Sequence, residues 1–182
     1  MATRRGLQKV SIGVGWTIEP SGVGSGASGP QTTAVGLDLD IAAFALGPDG
    51  VVASDQDFVF FNNLTACDGA IRLTSDAAVF RGWNEEMTVD TAALPPRVDR
   101  VVVAVSSYGG EAPFGRFPAG CVELWDSDAG QLARCDLAAQ FPGERALVYA
   151  DLRRDGSRWV LMARGEPFEG LGPIARSMGV KV

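Results

Sequence analysis

Eight oxygen-bearing side chains in this sequence have the types and spacing to hold a hard cation. Asp38 and Asp40 lie two apart in GLDLD, so a strand would point both to one face. Asp57 opens and Asn62-Asn63 close the segment DFVFFNN. Asp76, Asn84 and Glu85 flank the stretch SDAAVFRGWNEE. A calcium ion takes about six to eight oxygens from carboxylates, amides and backbone carbonyls, usually supplied by loops. The same residues also have an ordinary use. Asp and Asn are common at strand ends, where they hydrogen-bond the local backbone, and no fixed loop motif such as that of an EF-hand is present.

Other chemistries find less support. Histidine is absent, which excludes histidine triads, Cys/His nucleophile pairs and imidazole zinc sites. Cys67, Cys121 and Cys135 form no CxxC pair, and they read as small core residues of a reducing compartment. Cys121 and Cys135 flank an expected hairpin and could approach one another. None of the three has a recognisable activating neighbour. The chain has 182 residues, a net charge of −6 and no basic stripe, so nucleic acid is not expected as a partner. No apolar run approaches the ~18 residues of a membrane span. The twin arginine Arg4-Arg5 is followed by an alternating strand pattern rather than an apolar export segment, which makes the cytoplasm the expected location.

The elements that must position the acids are strands. Val10, Ile12, Val14, Trp16 and Ile18 alternate with small or polar residues at period two. VGLDLDIAAFAL reads as a long strand, Phe58-Val59-Phe60-Phe61 as a buried one, and AIRLT and EMTVDTAAL as short ones. VDRVVVAVSSY is the most apolar and is expected to be central. Two hairpins turn at Asp128-Ala129-Gly130 and at Asp155-Gly156. Leu171, Ile174, Ala175 and Met178 follow helical spacing and predict one short C-terminal helix. The expected fold is an all-β, two-sheet antiparallel sandwich forming a single domain over residues 1–182, with a flexible loop at 20–34.

The order GLDLDIAAFAL, SDQDFVFFNN, an acidic loop, VDRVVVAVS, VELWD, RALVYADLRRDGSRWVLMARG and GLGPIARSMG resembles the TerD family of bacterial tellurite-resistance and general stress-response proteins. The likeness runs from about Val10 to Val180, and DLDIAAF and SDQDFVFFNN are its most specific parts. It implies a β-sandwich that binds calcium in acidic loops at one end and a role in resistance to tellurite and other chemical stress, with no established catalysis, so an enzyme is not expected. By position, Asp40 matches the second acid of the family's DLDAS. Asp57 and Asn62-Asn63 match the acid and amides around its FVFYNN. Asp76 matches the Asp of its GDN loop, and Asn84-Glu85 match the end of its DDE.

That loop departs from the family pattern. Ala77 replaces the Asn after Asp76, Val79 and Phe80 replace polar or small residues, and Trp83 stands in place of an acid. Lost glycines and carboxylates remove both backbone bend and ligand charge. The expectation is one weakly held calcium ion or none. Val79, Phe80 and Trp83 raise a metal-independent alternative, in which this loop docks a protein partner or joins copies of the chain. They could equally fold back onto the end of the sandwich and fill a former ion pocket.

Overall fold

The alternation read in the sequence becomes two packed sheets in a computed structural model, which describes residues 6–17, 38–75, 82–108 and 112–181. The strands are β1 (Lys9–Gly15), β2 (Asp38–Leu46), β3 (Phe58–Val59), β4 (Thr65–Ala66), β5 (Ile71–Ser75) and β6 (Glu85–Asp90). They continue as β7 (Arg100–Tyr108), β8 (Cys121–Asp126), β9 (Gly130–Asp136), β10 (Ala146–Asp155) and β11 (Arg158–Phe168). A single helical turn, α1 (Leu137–Gln140), follows β9, and α2 (Leu171–Ser177) closes the chain. One sheet has the order β4-β5-β6-β1-β8-β9, the other β11-β10-β7-β2-β3, and every pairing is antiparallel.

The period-two pattern decides which side chains face which layer. Val10, Ile12 and Val14 of β1, Met87 and Val89 of β6, and Ile41, Ala43 and Ala45 of β2 fill the space between the sheets. The alternate residues of β2, namely Ala42, Phe44 and Leu46, face outward instead. There they meet Ile174, Ala175 and Met178 of α2 in a second apolar cluster. This explains why β2 carries almost no polar residue past Asp40: both of its faces are covered. β7 is central to its sheet and buried from Val101 to Ser107, as its composition predicts. Gly179, just past the Met178 cap of α2, has φ +86°, and a Cβ there would stand 2.9 Å from Val51 Cβ, so both backbone and space require glycine.

Two local expectations need correction. The strand expected over Phe58–Phe61 is two residues long, because Phe60 and Asn63 exchange backbone hydrogen bonds of 3.0 and 2.9 Å and turn the chain. Phe61 therefore stands 42% exposed at the tip of that turn. α1 was not anticipated; Asp136 caps it by accepting from the Ala139 N–H at 3.0 Å. The loop expected at 20–34 lies outside the described residues.

Candidate functional site

The short β3 determines the chemistry at the start of β2. It pairs only with Ala43 and Phe44, leaving Asp38–Ala42 without a strand on that side among the described residues. The N–H groups along such an open edge need acceptors. Side-chain carboxylates supply them: Asp38 Oδ1 accepts from Leu39 N–H at 3.0 Å, and Glu85 Oε2 accepts from Ile41 N–H at 2.6 Å. Glu85 is the first residue of β6 and points inward with Met87 and Val89. It thus reaches the β2 edge from between the sheets, whereas Asp38 and Asp40 share the outward face with Ala42 and Phe44.

Two of these three carboxylates are deeply covered, Asp40 at 8% exposure and Glu85 at 7%. Burial, followed by the neighbouring charge of Asp38, raises the Asp40 pKa to about 6. Burial raises Glu85 to about 8; the Ile41 N–H opposes the rise, and the charges of Asp40 and Asp38 add to it. Among the described residues no hydrogen-bond donor or cation reaches the Asp40 carboxylate. The buried Asp40 carboxylate thus stands beside that of Asp38 on one face of β2, an arrangement chemically suited to a hard cation. The set is nonetheless incomplete. No three acid, cysteine or histidine side chains among the described residues stand close enough to hold a metal ion together. Approach from opposite sides of the β2 edge keeps Glu85 apart from the two aspartates.

The other candidates lie elsewhere. Asp57 follows the far half of β2, and five residues of strand, about 17 Å, separate Asp40 from Ala45, the neighbour of Phe44, which pairs with Phe58. Its carboxylate is 5% exposed and is gripped by Arg97, with Nη2 at 2.8 Å from Oδ1 and Nη1 at 3.0 Å from Oδ2. The pair forms part of the wall of a polar cleft of about 750 Å³ that Arg72 also lines. Two guanidinium groups make that cleft unfit for calcium. The Asn63 side-chain amide donates to Phe58 O at 2.7 Å and Gln56 O at 3.2 Å, and Asn62 is exposed in the same turn. Asn84 Oδ1 accepts from Trp16 N–H at 2.9 Å. Asp57, Asn63 and Asn84 thus perform ion-pair, turn and edge chemistry, and the described members of the expected set are not gathered into one site. Asp76 lies outside the described residues, one position beyond Ser75, which pairs with Glu85.

Trp83 is not a surface anchor. It is 4% exposed and lies over Gly13, where a Cβ would overlap its ring at 1.8 Å. Its Nε1–H donates to Glu123 Oε2 at 3.3 Å. Glu123 also accepts from Trp125 Nε1 at 3.0 Å and pairs with Arg134. Burial pushes this carboxyl up, but the hydrogen bonds from Trp125, Arg134 and Trp83 prevail and hold it below its ordinary value. Trp83 has folded back onto the sheet, so a docking role through it is ruled out by burial. Val79 and Phe80, the other two members of that reading, lie outside the described residues. Neither Arg97 nor Glu123 was foreseen as a partner, because 40 residues of chain separate each from the group it holds.

The TerD domain model matches residues 1–177. The chain belongs to the TerD family. It is 30% identical over 181 residues to the tellurium resistance protein TerD of Serratia marcescens, covering 96% of this chain and 88% of that one. It is 29% identical to general stress protein 16U of Bacillus subtilis (strain 168), covering 99% and 92%. A crystal structure of a TerD homologue from Streptomyces coelicolor A3(2) superposes with a TM-score of 0.73 at 22% identity, over 93% of this chain and 96% of that one, and shares the fold. Among the described residues no helix is long and apolar enough to cross a membrane.

Proposed function

We propose that this TerD-family chain is a non-catalytic stress-response protein, serving resistance to tellurite and other chemical damage, whose acidic corner takes a single weakly held calcium ion. The observation that carries the reading is the pair of buried carboxylates, Asp40 and Glu85, at a stretch of β2 that has no second strand beside it, and no cation beside Asp40, among the described residues. Asp38 and Asp40, on one face of β2, would contact the ion, and Glu85, across the strand edge, would act on it through its charge. Calcium supplies fixed positive charge there and no reactive chemistry. The relatives' names, tellurium resistance protein and general stress protein, support the cellular role. A non-catalytic reading is supported by the thiols. Burial pushes Cys67, Cys121 and Cys135 up, the last to about 11, away from the reactive thiolate.

Weak binding follows from ligand count. Affinity tracks carboxylate number and rigidity, and Asp57, which could have added charge, is neutralised by Arg97 about 17 Å along the strand. The test is thermal melting of the full chain in rising calcium. Melting temperature should climb with the logarithm of calcium once the dissociation constant is passed. It should stay flat in Asp40→Asn. A flat wild-type curve to millimolar calcium would reject the metal and leave a metal-independent interaction module as the working account.

A further inference from the structure

Far from the acidic corner, three arginines converge on one buried carboxylate. Asp151 of β10 is fully buried. Its Oδ1 accepts from Arg100 Nη2 at 2.9 Å; its Oδ2 accepts from Arg153 Nε at 3.2 Å and Nη2 at 3.0 Å, and from Arg164 Nη1 at 3.4 Å. The half-exposed Glu166 takes Arg164 Nη2 at 2.7 Å. Among the described residues three cations thus face two carboxylates, leaving surplus positive charge on a chain of net charge −6.

These contacts engage five of the fifteen N–H groups that three guanidiniums carry: one on Arg100 and two each on Arg153 and Arg164. The Arg100 Nε–H is buried and has no hydrogen-bond partner. Arg153 and Arg164 keep 42% and 33% of their side chains open to solvent. Asp151 fixes the guanidinium planes from beneath, so a ligand approaching from outside meets donors already in place. Arg100 begins β7 and Tyr108, which pairs with Asp38, ends it. Eight residues, about 26 Å, lie between the two regions, beyond the ~10 Å over which salt lets charges act.

We propose that Arg100, Arg153 and Arg164, splayed by Asp151, form a binding site for a phosphate-type oxyanion on the outer face of the five-stranded sheet. Forked N–H donors match such oxygens two at a time, the geometry in which arginine surpasses lysine. The site is independent of the calcium reading, since its residues and its ligand's charge differ.

The test is a titration of the full chain with inorganic phosphate, at ionic strength matched by chloride, following the arginine Nε–H signals by NMR. A saturable shift of the Arg100, Arg153 and Arg164 signals is expected. Arg164 makes the longest contact to Asp151, so Arg164→Gln leaves the carboxylate paired and should weaken binding about tenfold. Arg164→Lys should recover only part of that loss. Arg153→Gln provides a second variant should the first melt early. A phosphoserine peptide that saturates the same signals more tightly than phosphate makes the source a phosphorylated side chain. Equal affinity makes it the free anion. Signals unmoved by either probe, or a shift that persists unchanged in both glutamine variants, overturn the site.

Discussion

Glu85→Gln should stabilise the calcium-free protein at alkaline pH, though it removes a charged acceptor from a buried N–H. Ionised Glu85 sits among the charges of Asp40 and Asp38 with little water. Its pKa is about 8 when folded and 4.5 as an ordinary carboxyl. Between those values the unfolded chain has released the proton while the folded protein still holds it, so stability falls as pH rises. The slope is about 1.4 kcal/mol per pH unit, so the loss is on the order of 3 kcal/mol by pH 7 and levels off near 5 kcal/mol above pH 8. Asp40, raised to about 6, adds to the slope below that pH. In a chain of this size, about 3 kcal/mol corresponds to roughly 6–12 °C in melting temperature. Glutamine stays neutral, and its carbonyl oxygen can still accept from Ile41 N–H. Thermal melts in chelator from pH 5 to 9 should show the wild type losing ground to Glu85→Gln steadily, with the gap greatest above pH 8. Parallel curves for the two proteins, or a wild type that gains on the variant as pH rises, would refute the charge-burial reasoning.

Three further outcomes follow from the packing. Arg97→Ala strands the Asp57 carboxylate at 5% exposure and should cost about 1–3 kcal/mol in urea unfolding, below the full buried-pair value because Arg97 is itself 48% exposed. Gly13→Ala places a methyl inside the Trp83 ring and should cost about 1–3 kcal/mol, with Trp83 displaced and the fluorescence shifted to the red; unshifted emission would contradict the contact. Cys121 and Cys135 lie on adjacent strands in offset register, Cys121 opposite Asp136 and Val122 opposite Cys135, so their side chains point to opposite faces. Mild oxidation should leave both as free thiols by mass spectrometry.

The parts of the fold that were legible in the sequence are those where neighbours along the chain decide. Period-two alternation marked β1, the apolar run marked β7, and Asp-Gly turns marked the β8–β9 and β10–β11 hairpins. Helical spacing of Leu171, Ile174 and Ala175 gave α2, because its inner face must match Phe44 and Val148 on the sheet. Local pattern misplaced Phe61, since four consecutive apolar residues look the same whether a turn or a strand follows. It also grouped acids that three-dimensional space separates. Asp38 and Asp40 do share one face of β2 and feel the charge of Glu85 across its edge, and the raised pKa values there follow from burial no sequence displays. Asp57 was drawn away by Arg97, forty residues later, Asn63 by carbonyls beside the turn at Phe60–Asn63, and Asn84 by the Trp16 N–H. For Trp83 the sequence leaves docking and folding back equally open, because nothing local announces that Gly13 leaves a flat bed for its ring.

The most direct test of the central claim is isothermal titration of calcium into the full chain at pH 7, repeated in buffers of different ionisation heat. One weak site per chain is expected, with protons released as the ion enters, since a cation beside Asp40 favours the ionised form of the neighbouring Glu85. Glu85→Gln should abolish the proton release. No binding heat, two ions per chain, or uptake without proton release would contradict the acidic corner as the seat of function.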